Sequence, residues 1–139
     1  MTIAAHDQKV THNYTIHYPA HPERKDDPHY VDFNHYRRTT KATAACATGV
    51  EVGDTDSCGG GLELHHSHIE FAILNSVDLK RLEHAYPGIS DPTQVGAWVE
   101  SAANLTWLCE KHHRGTGTGV HSADVSDFEG EKFVKGLAS

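Results

Sequence analysis

Three cysteines limit what this chain can fold into more than any other feature. Cys46, Cys58 and Cys109 are its only thiols, and an odd number cannot pair completely within one chain. The opening MTIAAHDQKV has no apolar stretch of leader length, so the chain is expected in a reducing, cytoplasmic setting where disulfides do not persist. Metal ligation is then the leading use of the thiols. Cys109 stands at C-x-x-H spacing from His112, which puts two ligands on one turn around one ion. Cys46 and Cys58 supply the two further thiolates of a Cys3His structural zinc set. They lie twelve positions apart, well beyond the usual gap of about two to four residues in such sites. The competing reading makes all three cysteines small buried hydrophobes.

Histidine is the second constraint. The stretch LELHHSHIE, residues 62–70, places His65, His66 and His68 at the end of an alternating leucine and glutamate pattern that reads as a strand. Side chains of successive strand residues point to opposite faces, so His65 and His66 are expected to do different jobs. One can ligate an ion while its neighbour accepts a proton from water, since an imidazole titrates near neutrality and serves either purpose. Histidine-rich tracts also bind metals adventitiously, and a lone strand histidine is more often a solvated or hydrogen-bonded residue.

The rest of the sequence reads as one α+β domain. NYTIHY, residues 13–18, alternates like a strand, and Asp27-Pro28 resembles the start of a short helix running through Phe33 and Tyr36 toward Arg38. Residues 46–61 read as a loop. Residues 69–86 carry Ile73, Leu74, Val77, Leu82 and Tyr86 at helical spacing, as one helix or two, stopped by Pro87-Gly88. A further helix is expected from Asp91-Pro92 to about Ser101, burying Val95, Trp98 and Val99. Ser126 and Glu129 have capping-box spacing for a last helix through Phe133 and Leu137. No apolar run approaches the roughly 20 residues that span a bilayer. A formal net charge of −7 argues against coating nucleic acid by bulk electrostatics, so any such contact is local.

LELHH at 62–66, NL at 104–105 and LCEKHHR at 108–114, in that order, resemble the motifs of the HNH endonucleases, the ββα-metal nucleases, and are most similar to small phage- and prophage-encoded members. The resemblance covers about residues 46–114. It implies a treble-clef-like, zinc-stapled ββα-metal core over about 42–121, an N-terminal strand and helix extension over 1–41, and a C-terminal helix over 122–139. By the same resemblance His66 is the general base, His65 and His113 hold the catalytic ion, and Asn104 constrains the loop that orients the base. His68 matches a histidine that faces the scissile phosphate in resolvase-like members. His121 is a candidate third ligand or phosphate contact, and Lys111 and Arg114, with Arg37, Arg38 and Lys41, are candidates for neighbouring phosphates.

The expected activity is metal-dependent hydrolysis of DNA, structured or single-stranded, leaving a 5′-phosphate, with phage packaging or DNA processing as its setting. His65 falls where many members have aspartate. Neutral imidazoles favour manganese, nickel or zinc over magnesium, so the working ion stays open among these four. Two other classes stay open as well: a zinc-stabilised binding module that has lost cleavage, and a hydrolytic zinc enzyme acting on a small molecule.

Overall fold

Two five-residue strands carry the architecture. In the computed structural model, which describes residues 1–137, β1 (Leu62–His66) pairs antiparallel with β2 (Leu105–Cys109), and His65 lies opposite Thr106 and His66 opposite Leu105. The pleat turns Glu63 and His65 to one side and Leu64 and His66 to the other. A short helix, α5 (Glu110–Arg114), follows β2 directly, so the last strand residue Cys109 also caps a helix. Around this unit lie α1 (Tyr30–Thr40), α2 (Ala47–Val52), α3 (Leu79–Ala85), α4 (Pro92–Val99) and α6 (Val125–Glu131). The protein is a mixed α+β fold with a small two-stranded sheet. Among the described residues no helix is long and apolar enough to cross a membrane.

Several expected elements form with shifted limits. The 69–86 segment divides into a 3₁₀ stretch, Phe71–Ser76, and α3, with Asp78 capping the second by accepting from the Arg81 N–H. The α4 helix begins at Pro92 under an Asp91 and Gln94 capping box and buries Val95, Trp98 and Val99. Residues 47–52, expected as loop, form α2 instead, with Cys46 as its N-cap and Gly53 closing it at φ 84°. That left-handed closing residue is what ends so short a helix.

One expected element is absent, and two helices start or stop elsewhere than expected. Residues 13–18 form no strand and pair with neither strand of the sheet; Tyr14, Ile16 and Tyr18 stay exposed, and a strand without a pairing partner is not stable by itself. The helix after Asp27-Pro28 starts only at Tyr30, since Asp27 accepts from the His29 N–H and turns the chain first. The last helix is capped by Asp124, not Ser126, and stops at Glu131, leaving Phe133 and Leu137 largely exposed. Residues 138–139, the end of the expected helical segment, lie outside the described residues.

Apolar packing is divided. Leu82, Ile89, Val95, Trp98 and Val99 form one buried cluster, supported by Ile69, Leu74, Val77 and Tyr86. A second, smaller cluster contains Cys46, Leu108 and Cys109 with Ala47, Cys58 and Val120 at its edge. Neither is large, and the second is built on thiols, a composition that gains stability from a bound ion more than from area.

Asn104 joins the two regions. Its side chain is fully buried; Oδ1 accepts from the N–H groups of His68 and Ile69 at 2.9 and 3.0 Å, and Nδ2 donates to the carbonyls of Ile69 and Val99. The backbone carbonyl of Asn104 also accepts from the Ser67 N–H. One amide therefore fixes the path of the chain as it leaves β1. Asn104→Ala strands buried partners at both ends and is expected to cost about 2–4 kcal/mol, visible as a lowered melting temperature. Unchanged melting would show that the turn holds itself.

Candidate metal centres and the histidine cleft

The four residues expected as structural ligands converge. Nδ1 of His112 lies 3.2 Å from Sγ of Cys109, 3.5 Å from Sγ of Cys46 and 3.8 Å from Sγ of Cys58. Ligands at the usual zinc–sulfur and zinc–nitrogen lengths in a tetrahedron stand roughly 3.5 Å apart, so the group is spaced to hold a metal ion such as zinc. All three cysteines are free of disulfides. The long gap between Cys46 and Cys58 is absorbed by α2, which returns the chain to the same spot. Gly60 sits at φ 76° with Glu110 so near that a Cβ would meet the Glu110 Cβ at 2.6 Å. That close approach lets Gly59 and Gly61 accept from the N–H groups of Lys111 and Glu110 and presses Cys58 onto the start of α5.

Electrostatics favour an ion here. Burial raises the Cys46 thiol, but hydrogen bonds from the backbone N–H groups of Cys109, Gly49 and Thr48 outweigh it and lower its pKa. Burial, followed by the nearby Cys46 and Cys109, pushes Cys58 up to about 12. Three sulfurs this close cannot all ionise without a cation among them. Burial also keeps His112 neutral, the state that ligates.

A second group lies on the other side of the His112–His113 step. His65, His113 and His121 bring ring nitrogens within 4.8 Å of one another. Nε2 of His113 and Nε2 of His121 are 3.1 Å apart, against the roughly 3.3 Å expected of two imidazoles on one ion. Nδ1 of His113 donates to Oε1 of Glu63 at 3.0 Å, which leaves Nε2 with its lone pair free, the carboxylate–histidine arrangement typical of metal ligands. Nδ1 of His65 is buried without a hydrogen-bond partner among the described residues. Burial, then the His121 and His113 charges, push His65 down to about 4, and burial lowers His121 as well. Neutral imidazoles suit a divalent transition metal. His121 reaches the group because the chain doubles back at Gly119, where a Cβ would strike backbone nitrogens of Arg114 and Gly115 at 2.6 Å. The N–H groups of Val120 and His121 then bond to the carbonyls of His112 and His113.

His66 opens onto the same cleft, about 480 Å3 in volume, which is lined also by Leu64, His65, Glu70, His113 and His121. Its Nε2 is 3.0 Å from Oε1 of Glu100 and its Nδ1 is 3.4 Å from Oε2 of Glu70. Burial disfavours the imidazolium, but the bonds to Glu100 and Glu70 outweigh it and push His66 up to about 9.

The remaining candidates fall elsewhere. His68 is exposed and rests its ring near Tyr86 and Trp98, outside the lining of the cleft. Lys111 pairs with Glu131, Arg114 pairs with Glu63 and Glu110, and both line a separate cleft with Gly59 and Gly60. Glu63, Glu70 and Glu100 were not anticipated. Glu63 was legible in principle: it lies two residues before His65 and so on the same strand face. Glu100 was not, because nothing in its local pattern marks a buried carboxylate.

No family model, curated protein or solved structure matches the chain.

Loss of one structural ligand should be felt by the whole domain, since such zinc sites contribute on the order of 10 kcal/mol of apparent binding free energy. Cys46→Ser, Cys58→Ser and Cys109→Ser should each lower zinc content and melting temperature together. Full zinc content in any of the three would remove that thiol from the site.

Proposed function

We propose that the chain is a metal-dependent endonuclease of the ββα-metal type that hydrolyses DNA phosphodiesters, with a structural zinc at Cys46, Cys58, Cys109 and His112. One observation carries the reading. His65, His113 and His121 gather around a point in a cleft that His66 also lines, with His65 and His66 on β1, His113 on α5 and His121 in the turn after it. The order of the motifs, LELHH then NL then LCEKHHR, supports the same family.

In this reading the chain's own groups divide the work. Nε2 of His66 is tied to the buried Glu100, whereas Nδ1 meets Glu70, which is 44% exposed at its side chain. Nδ1 is therefore the nitrogen that can exchange its partner for water. As Glu70 withdraws, one of the carboxylates that favour the imidazolium is lost and Nδ1 releases its proton to solvent; the neutral ring then takes a proton from the water whose oxygen attacks phosphorus, while the bond to the 3′-oxygen breaks and that oxygen is protonated from solvent. A divalent ion held by the three imidazoles would supply charge stabilisation at the phosphate and the departing 3′-oxygen. Asn104 holds the turn after β1 and so keeps His66 in register, and Glu63 fixes the ring of His113. A site of this kind binds one phosphate tightly through local charge, which fits the net charge of −7. Phage packaging or DNA processing in the cytoplasm is the proposed setting.

Incubation with supercoiled plasmid and a panel of magnesium, manganese, nickel and zinc tests the reading. The wild type should nick and leave 5′-phosphate ends. His66→Ala should lose ~10²–10⁴-fold in rate with zinc content and folding intact, and His113→Ala should raise the metal concentration needed for half-maximal rate. Intact plasmid with every metal would favour the alternative, a zinc-stabilised binding module without cleavage.

A further inference from the structure

We infer that Glu100 is the positioning residue for His66, held in place by Arg24, so that the segment before α1 is a working part of the catalytic unit. The inference rests on the nuclease reading and gives residues 24–33 a role in it.

The Glu100 side chain is wholly buried at the end of α4. A carboxylate in that position must be paired, and it is paired on both oxygens. Arg24 reaches Oε1 with Nη1 and Oε2 with Nη2, each at 2.8 Å, a two-pronged contact that fixes the plane of the carboxylate as well as its charge. Oε1 also meets Nε2 of His66 at 3.0 Å. Arg24 in turn bonds Oδ2 of Asp27 at 3.2 Å, and its guanidinium lies 4.7–4.9 Å from the ring centres of Tyr30, Phe33 and Phe71. Phe33 stacks on His66 itself, with centroids 5.6 Å apart and planes 28° from parallel. The histidine ring is thus fixed at one nitrogen by Glu100 and along one face by Phe33, and Nδ1 is the atom left toward the cleft.

Stability alone is a poor account of this arrangement. Buried ion pairs are commonly matched or bettered by apolar residues of similar volume, and the site already has three aromatic rings to pack against. What an apolar replacement cannot do is hold an imidazole by one chosen nitrogen. The chain of contacts Asp27, Arg24, Glu100 ends on the one histidine of the cleft that stands outside the three-histidine group, where ring orientation decides whether a nitrogen faces the attacking water.

The test uses the full chain with its zinc, manganese chloride and supercoiled plasmid, and compares wild type, Glu100→Gln, and the double variant Arg24→Met with Glu100→Gln. The double variant removes both charges together, and methionine suits an aromatic box, so it decides the matter if the single variant folds poorly. Expected is a 10–100-fold fall in kcat. KM for plasmid, the half-saturating manganese concentration and zinc content should stay within about twofold of wild type, the scatter ordinary surface substitutions produce. Ring ¹⁵N signals recorded at a pH where the ring is neutral should show the His66 proton on Nε2 in the wild type and a different tautomer balance in the double variant, a readout that mere loss of packing would not move. A folded double variant with wild-type kcat and unchanged His66 signals, in a chain whose wild type nicks, overturns this inference alone. A wild type that leaves the plasmid intact with every metal of the panel overturns the nuclease reading and this inference with it.

Discussion

Convergence of three sulfurs and one imidazole nitrogen is the constraint on which the rest of the molecule depends. Cys46 opens α2, Cys58 lies in the glycine loop before β1, Cys109 ends β2 and His112 sits inside α5. These four positions tie together every element of the small sheet unit except β1, and β1 is tied by its pairing to β2. The apolar core beneath α3 and α4 is separate from this unit, so packing alone leaves the sheet with little support. An ion held at the tetrad would supply what the divided core lacks.

From that anchor the positions of the cleft residues follow by single-residue steps. His113 is the neighbour of a tetrad ligand on a short helix and so points away from it, toward β1. His65 and His66 are neighbours on a strand and so point to opposite faces. Both adjacent histidine pairs use the same device: one residue of each pair belongs to one environment and the next residue to another. His65, in the three-histidine group, and the carboxylate-bound His66 are pushed in opposite directions, His65 down to about 4 and His66 up to about 9. Adjacent residues thus have opposite surroundings, one apolar and among histidines, the other between carboxylates.

How much of this could be read from the sequence depended on how local its cause was. The α4 helix, with its Asp91 cap and buried Trp98, is announced by residues within a few positions. The tetrad was legible from residue type and count, although α2 inside the Cys46–Cys58 gap was not, because its single turn carries no periodic signal. The strand expected at residues 13–18 has the right alternation, but a strand needs an edge to pair with, and alternation cannot report whether one exists. Ser126 has capping-box spacing, yet Asp124 captures the Asp127 N–H two residues earlier. The buried carboxylates are the clearest case. Glu100 is separated from His66 by 34 positions and from Arg24 by 76, and charged residues read as surface until the fold places them. Lys111 and Arg114, candidates for phosphate contacts, pair with Glu131, Glu63 and Glu110, and the local sequence does not announce the first two of these partners.

We propose that one sheet unit holds two distinct ions, one fixed and one exchangeable, separated by the step from His112 to His113. Anomalous diffraction at the zinc and manganese edges, from crystals of the zinc protein soaked in manganese chloride, tests it directly. A zinc peak is expected among Cys46, Cys58, Cys109 and His112 and a manganese peak among His65, His113 and His121. A manganese peak outside the three histidines, or an empty tetrad, would contradict it.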